Sequence, residues 1–259
     1  MGKFIITKED VIPNEEGNED VAIIKKGSLD AFNSNVLGLG NINSKSVQVN
    51  ALAAIFDLDG FTKFCTQIDP QLAAPKFLHL FLQWLFAKIK QTCIKEELTE
   101  GYKIYLEPPF FAKFLGDGVL FLWDTETKTE TEMNNIVTSC LRVSMHYRNQ
   151  FLPTVEGKFS YEPAVLRCGI ARGIIYSVGN GEDYIGPCIN MASRLQKLSS
   201  LTFAFSRKGF DFETYMPASR KEKLCVKEVQ IRGIGDRELV CILKDEYDKL
   251  PEEEKKKFI

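Results

Sequence analysis

The sequence predicts an α+β fold in which an antiparallel sheet carries flanking helices. Three observations lead to this prediction. An apolar run at 49–56, VNALAAIF, is typical of a buried strand and ends at Asp57. Helical patterns follow at 69–97 and 133–151, and short strand-like segments occur in pairs between and after them. This order is that of a ferredoxin-like (palm-like) sheet with helices on one side and with extensions.

Composition excludes several classes of function. Of the 259 residues, 44% are hydrophobic, which is typical of a globular protein. The formal net charge of −2 gives no reason to expect binding to nucleic acid or to an anionic membrane. The sequence has no bilayer-spanning apolar run and no signal-peptide core, so we expect a cytoplasmic protein. The seven cysteines are scattered and neither His79 nor His146 lies at zinc-ligand spacing, so we expect reduced cysteines and no zinc.

Local signals define the elements in order. Residues 1–47 are polar and contain glycine, so we expect an irregular arm packed on the main domain. Asp69-Pro70 is typical of a helix start, and the Gly-Asp-Gly at 116–118 is typical of a tight hairpin turn. VLRCGIARG and IIYSVG predict a second hairpin at 165–179. Gly186-Pro187 opens a further helix, and three strand-like segments follow. A charged tail covers 246–259, and its last segment, PEEEKKKFI at 251–259, is expected to fray.

Carboxylates and glycines meet at two of the predicted turns. FDLDGFT at 56–62 places Asp57 and Asp59 at a strand end, before a turn whose backbone N–H groups suit phosphate. KFLGDG at 113–118 places Asp117 between glycines that let a ligand or metal approach closely. Taken alone, each cluster also fits an ordinary Asp-Gly turn.

A third cluster, DYIGPCINMASR, covers 183–194. If a helix begins near Pro187, Asn190 and Arg194 lie four residues apart on one face. An amide and a guanidinium that point the same way suit an oxyanion or a phosphate. A polar pair on a helix surface would have the same spacing.

The first two clusters fit two classes of enzyme. IFDLDG with a downstream GDG is similar to the haloacid-dehalogenase phosphatases, in which the first Asp is a nucleophile. Those enzymes have alternating β-α units before the GDG loop and a separate upstream lysine. Here hairpin segments are predicted, and Lys113 lies only four residues before Asp117.

The second class accounts for all the clusters in order. FDLDGFT, KFLGDG and DYIGPCINMASRL, followed by VQIRGIGDRELVCIL, resemble the catalytic domain of class III nucleotidyl cyclases over about residues 50–244. The resemblance implies the class III cyclase fold at 48–245, between the arm and the tail. It implies a lyase that converts a nucleoside triphosphate to a 3′,5′-cyclic nucleotide and pyrophosphate with two Mg²⁺ or Mn²⁺ ions per site.

The resemblance also assigns roles. Metal ligands would be Asp57, Leu58 and Asp117, because two adjacent ions need acidic ligands on rigid elements. Asn190 would orient the ribose, and Arg194 would stabilise charge at the α-phosphorus. Asp59 is a secondary candidate for metal or hydrogen bonding. The remaining nucleotide-binding candidates, for phosphate and base, are Leu58, Gly60, Phe61, Thr62, Lys113, Asp183 and Arg232.

Lys113 and Asp183 match the pair that contacts the base in the family. They differ from the Glu and Cys pattern of guanylate cyclases. A lysine donor with an aspartate acceptor suits adenine, cytosine and uracil, so the substrate is ATP, CTP or UTP on this ground. The KFLGDG motif, the strand ending in Trp-Asp and the stand-alone organisation resemble the pyrimidine cyclases of bacterial Pycsar anti-phage defence. We therefore expect UTP or CTP as substrate, with adenylate cyclase as the alternative.

Partners follow from the same resemblance. It implies a head-to-tail homodimer with composite active sites, and a separate effector protein activated by cyclic UMP or cyclic CMP. No nucleic acid or membrane partner is expected. A catalytically silent binding or dimerisation module is a further alternative, since some family domains have lost a metal carboxylate.

Overall fold

The computed structural model describes Ile5, Thr7, Glu9 and residues 11–12, 23–30, 32–99, 102–105 and 108–258. The strands are β1 (Val11–Ile12), β2 (Ile23–Ile24), β3 (Gln48–Asp59), β4 (Ile94–Thr99), β5 (Tyr102–Tyr105), β6 (Phe111–Phe114), β7 (Gly118–Asp124), β8 (Val165–Val178), β9 (Asp183–Ile185), β10 (Phe203–Ser206), β11 (Leu224–Ile231) and β12 (Gly235–Leu243). The helices are α1 (Lys26–Asp30), α2 (Phe61–Phe64), α3 (Pro70–Cys93), α4 (Glu130–His146), α5 (Leu152–Val155), α6 (Pro187–Leu195), α7 (Phe212–Tyr215), α8 (Ala218–Lys221), α9 (Lys244–Asp248) and α10 (Glu252–Lys255).

The chain forms two compact units. The smaller one consists of the described part of Met1–Gln48 together with Tyr176–Ile185, and the larger one consists of Val49–Ile175 and Gly186–Ile259. In the larger unit the strands are ordered β11-β12-β10-β8-β3-β7-β6, and the pairs β3–β7, β6–β7, β10–β12 and β11–β12 are antiparallel. The predicted α+β fold with a largely antiparallel sheet and flanking helices is confirmed.

Helices cover both faces of the sheet, whereas the sequence predicted helices on one side only. Alternate residues of a strand face opposite sides. Phe56 of β3 belongs to the aromatic core formed with α3 and α4. On the opposite side, α6 approaches β8 so closely that a Cβ atom at Gly169 would lie 2.2 Å from the carbonyl oxygen of Ala192. Glycine at 169 therefore lets α6 pack directly on the backbone of β8.

Two local predictions differ from the structure. The predicted hairpin at 165–179 is wrong, because Val165–Val178 is one continuous strand whose central residues lie inside the sheet. The expected fraying of the tail is also wrong. Leu250 and Phe258 are buried, and Phe258 forms a β-bridge with Val229. Burial of these two apolar side chains orders the charged segment between them.

The two predicted long helices are present, but the first is shorter than predicted. It runs over Pro70–Cys93, and Ile94–Thr99 is a strand, whereas helix was predicted to residue 97. The second long helix begins at a capping box formed by Thr129 and Glu132. All seven cysteines are described and free. Among the described helices, none is long and apolar enough to cross a membrane.

Candidate active site

Asp57 and Asp117 meet where β3 ends beside the β6–β7 hairpin. In the antiparallel register Asp57 lies opposite Gly118, and the N–H of Leu58 donates a 3.1 Å hydrogen bond to the carbonyl oxygen of Asp117. A Cβ atom at position 118 would lie 2.3 Å from the carbonyl oxygen of Phe56. Glycine at 118 thus permits the close strand approach that places the two carboxylates side by side.

The environment of Asp57 disfavours its negative charge. Burial and the neighbouring charge of Asp117 raise the pKa of Asp57 to about 6, and the two carboxyl groups are within hydrogen-bonding reach. The positive charges of Lys197 and Arg167 act in the opposite direction. Two like charges held together in a partly buried site repel each other, so this site favours the binding of a cation.

This carboxylate pair fits a divalent metal that is shared with a substrate. Across the described ranges, no group of three or more His, Cys, Asp or Glu side chains could enclose a metal ion. Mg²⁺ commonly binds through one or two carboxylates, keeping water and substrate phosphate as its other ligands. Asp57 and Asp117, with the adjoining backbone of Leu58, provide a protein contribution of that kind.

The predicted phosphate-binding turn follows directly after β3. Gly60 has a left-handed backbone with φ of 82°, and its carbonyl oxygen accepts from the N–H of Phe64 in α2. Helical geometry leaves the N–H groups of Phe61 and Thr62 without an acceptor inside the helix. They therefore remain available at the end of the strand that carries Asp57.

Two basic residues near Asp57 were missed by the sequence analysis. Arg167 of β8 forms a 2.8 Å ion pair with Asp59, and only 18% of its side chain is exposed. Lys197 follows α6 and acts electrostatically on Asp57. Arg167 is a charged residue in the otherwise apolar stretch VLRCGIA, a signal that could have identified it. No comparable pattern marks Lys197.

Asn190 and Arg194 lie exposed on α6, as the four-residue spacing predicts. The helix starts at Gly186, whose φ of 155° excludes most side chains, and Gly186 accepts from the N–H of Asn190.

The other predicted nucleotide contacts are distributed over separate elements. Lys113 is half-buried on β6, and Arg232 is exposed at the tip of the β11–β12 hairpin. Asp183 belongs to the smaller unit, where it is 8% exposed and its Oδ1 accepts from the N–H of Tyr184. In chemical terms, the carboxylate pair, the open turn and the nearby cations can hold a metal ion and a polyphosphate.

Solved structures identify this architecture. The adenylyl cyclase CyaB from P. aeruginosa matches with a TM-score of 0.56 and 15% identity, over 77% of this chain and 96% of that protein. The chain has the fold of a class III nucleotidyl cyclase catalytic domain. The guanylyl cyclase Cya2 matches equally well, with a TM-score of 0.56 and 15% identity over 77% of this chain and 94% of that one.

A third cyclase structure extends the comparison. The catalytic core of a rhodopsin-guanylyl cyclase with converted specificity, in complex with ATPalphaS, matches with a TM-score of 0.53 and 14% identity. The match covers 77% of this chain and 98% of the rhodopsin-guanylyl cyclase chain. No protein-family model matches the sequence, and a search of curated proteins finds no match. This largely antiparallel sheet differs from the alternating β-α units of the haloacid-dehalogenase phosphatases, so the fold excludes the phosphatase alternative.

Proposed function

We propose that this protein is a nucleotidyl cyclase, which converts a nucleoside triphosphate to a 3′,5′-cyclic nucleotide and pyrophosphate. The observation that carries the proposal is the pairing of Asp57 with Asp117 at the end of β3, within a cyclase fold. The ordered sequence motifs support it, because they supply these carboxylates together with Asn190 and Arg194.

The chain's own residues suit this chemistry. Divalent metal ions would supply Lewis-acid activation of the ribose 3′-hydroxyl and neutralisation of phosphate charge. Asp57, Asp117 and the backbone of Leu58 would hold them. The N–H groups at 61–62 would donate to phosphate oxygens, and Arg167 would add positive charge beside them.

We further propose a head-to-tail homodimer in which Asn190 and Arg194 complete the site of a second copy. The resemblance to class III cyclases supports this arrangement, because in that family the metal carboxylates come from one catalytic domain and the residues matching Asn190 and Arg194 from another. Arg194 would stabilise charge at the α-phosphorus, Asn190 would orient the ribose, and Arg232 would contact the terminal phosphates. Preorganised donors of this type lower the barrier electrostatically.

For the base, we propose contact by Lys113 and Asp183 and a pyrimidine substrate, UTP or CTP. The product would then be a cytoplasmic second messenger, cyclic UMP or cyclic CMP, that activates a separate effector in anti-phage defence. ATP is the alternative, because adenine offers the same donor and acceptor pattern to a lysine and an aspartate.

The proposal is tested by incubating the purified chain with ATP, GTP, CTP or UTP and Mn²⁺, with mass spectrometry of the products. We expect one preferred nucleotide to yield its cyclic form. Asp117→Asn should abolish turnover while leaving the protein folded, whereas Asp124→Asn, at the far end of the strand that follows Asp117, should remain active. Product formation from none of the four would point to a catalytically silent module instead.

The base assignment has its own test. Lys113→Ala should lower kcat/KM for the preferred nucleotide by roughly 1–3 kcal/mol in transition-state free energy, as expected for one lost buried hydrogen bond. It should also reduce discrimination among the four nucleotides. Unchanged selectivity would show that the base is contacted elsewhere.

A further inference from the structure

We propose that the N-terminal arm determines base selectivity by bracing the turn that precedes Asp183, which makes residues 39–47 a positioning segment of the active site. The inference rests on the proposed cyclase function and on base contact by Asp183. All of the contacts involved lie within the smaller unit.

Hydrogen bonds attach the arm to the end of β8. The N–H of Ser177 donates to the carbonyl oxygen of Val47 at 2.9 Å, and the N–H of Val47 donates to Oγ of Ser177 at 2.8 Å. Oγ of Ser46 donates to the carbonyl oxygen of Ser177 at 2.8 Å. The backbone N–H, the carbonyl and the hydroxyl of Ser177 are thus all engaged by two consecutive arm residues.

Ser177 is directly coupled to the base-contacting segment. In the β8–β9 register, Ser177 pairs with Tyr184 and Val178 pairs with Asp183. The arm therefore contacts β8 at its last residues before the turn at 179–181. These residues of β8 pair with the strand that carries Asp183. A displacement of β8 here would be passed to Asp183 through the ladder.

Close packing reinforces these bonds. Gly179 is buried, and a Cβ atom on it would lie 1.4 Å from the carbonyl oxygen of Leu39. A Cβ atom on Gly40 would lie 3.1 Å from the carbonyl oxygen of Gly179. The arm crosses the turn backbone to backbone, so no side chain fits at position 179.

The turn has a conformation that local sequence alone disfavours. Gly179, Asn180 and Gly181 have φ values of 59°, 63° and 93°, which places all three in the left-handed region. Consecutive left-handed residues persist where surrounding contacts over-determine them. The arm supplies such contacts at Gly179, the first residue of the turn. Asp183 lies two residues after Gly181, the last residue of the turn.

Selectivity is the property that this bracing should control. A group that contacts the base must be held within about half an ångström of its productive position to discriminate between nucleotides. Asp57 and Asp117 belong to the larger unit, so loosening the turn should affect the choice of base more than the metal-binding carboxylates.

The test compares Gly179→Ala with Gly181→Ala in the full-length chain. Both introduce alanine at a left-handed position of the same turn, but only position 179 meets the arm, since a Cβ atom at 181 would contact only the hydroxyl of Tyr184 at 3.3 Å. We expect Gly179→Ala to change the kcat/KM ratio between preferred and second-best nucleotide by about threefold to tenfold, and Gly181→Ala to change it less. In an Asp183→Ala background, Gly179→Ala should change the ratio no further.

Hydrogen exchange gives a readout that does not depend on activity. Ser177→Ala removes the acceptor of the Val47 N–H, and we expect faster exchange at Val47 and at Asp183, which pairs with Val178 in the β8–β9 ladder, together with the same direction of selectivity change. Ser177→Thr, which keeps the hydroxyl, should restore both. Faster exchange at Val47 with unchanged exchange at Asp183 would overturn the coupling.

The two levels of proposal fail in different ways. If the wild-type chain forms no cyclic nucleotide, the proposed function is wrong, and the exchange data alone decide whether the arm braces the turn. If the wild type is active but Gly179→Ala and Gly181→Ala alter all four nucleotides equally, the arm does not determine selectivity and the inference is wrong.

Discussion

Nη2 of Arg167 lies 2.8 Å from Oδ2 of Asp59, an ion pair that links β8 to the residue two positions after Asp57. The resemblance makes Asp59 a secondary candidate for metal or hydrogen bonding, and in the structure Asp59 pairs with this guanidinium. The pair therefore holds a cation beside the proposed triphosphate site in the absence of substrate.

Opposite effects are expected from the two partners of this ion pair. Arg167→Gln should raise KM for the preferred nucleotide roughly tenfold, because a charge-assisted phosphate contact is lost. Asp59→Asn should leave KM unchanged or lower it, since the guanidinium no longer has a competing anion. Both should change the free energy of unfolding by less than about 1 kcal/mol, because Asp59 is 46% exposed. Steady-state kinetics with urea denaturation tests this, and a raised KM in Asp59→Asn would contradict it.

The carboxylate pair should destabilise the metal-free protein at neutral pH. The pKa of Asp57 is raised from 3.8 to about 6 by burial and by Asp117, so its stability contribution is full below pH 3.8 and is lost as pH rises through about 6. Asp57→Asn removes this loss. We expect it to raise the free energy of unfolding at pH 7 by about 1–2 kcal/mol, a value reduced for solvent screening.

Chemical denaturation in the presence of a chelator measures this effect. The difference between Asp57→Asn and wild type should be large at pH 7 and small at about pH 3, because Asp57 is protonated in both the folded and the unfolded state there. If the difference in free energy of unfolding between the two proteins did not depend on pH, the charge of Asp57 would not destabilise the folded protein. Saturating Mn²⁺ should reverse the order of stability, since it binds the wild-type pair.

Gly169 should be essential for the position of α6. Gly169→Ala places a Cβ atom 2.2 Å from the backbone of the helix that carries Asn190 and Arg194, so the helix must shift. We expect a loss of roughly 1–3 kcal/mol in stability and a strong loss of cyclase activity. Gly173→Ala on the same strand is the control, because its Cβ atom would meet Cys188 at an ordinary 3.6 Å. Thermal unfolding and turnover should separate the two variants.

Complementation tests the composite dimer. Asp57→Ala and Arg194→Ala should each be inactive, but in a mixed dimer one site collects both lesions and the other collects neither. With random subunit exchange, half the dimers are mixed, so activity should return to about a quarter of wild type. Exchange must be demonstrated independently, for example with differently tagged chains. No recovery after proven exchange would mean that each site is built within one chain.

Short-range patterns in the sequence predicted much of the catalytic framework. The apolar run before Asp57 predicted a buried strand, the Gly-Asp-Gly around Asp117 predicted a hairpin, and the spacing of Asn190 and Arg194 predicted one helix face. Each of these depends on residues within about one turn of helix or one strand, where local hydrogen bonding and alternation dominate. The α+β class followed from their order.

Tertiary structure decided the features that depend on distant segments. The glycines in 165–179 suggested a turn, but the neighbouring strands β3 and β10 keep this stretch extended as one strand. The approach of Arg167 to Asp59, the packing of α6 over Gly169 and the crossing of Leu39 over Gly179 each join residues far apart in the chain. Such contacts depend on strand order and on close packing between elements, which no local pattern encodes.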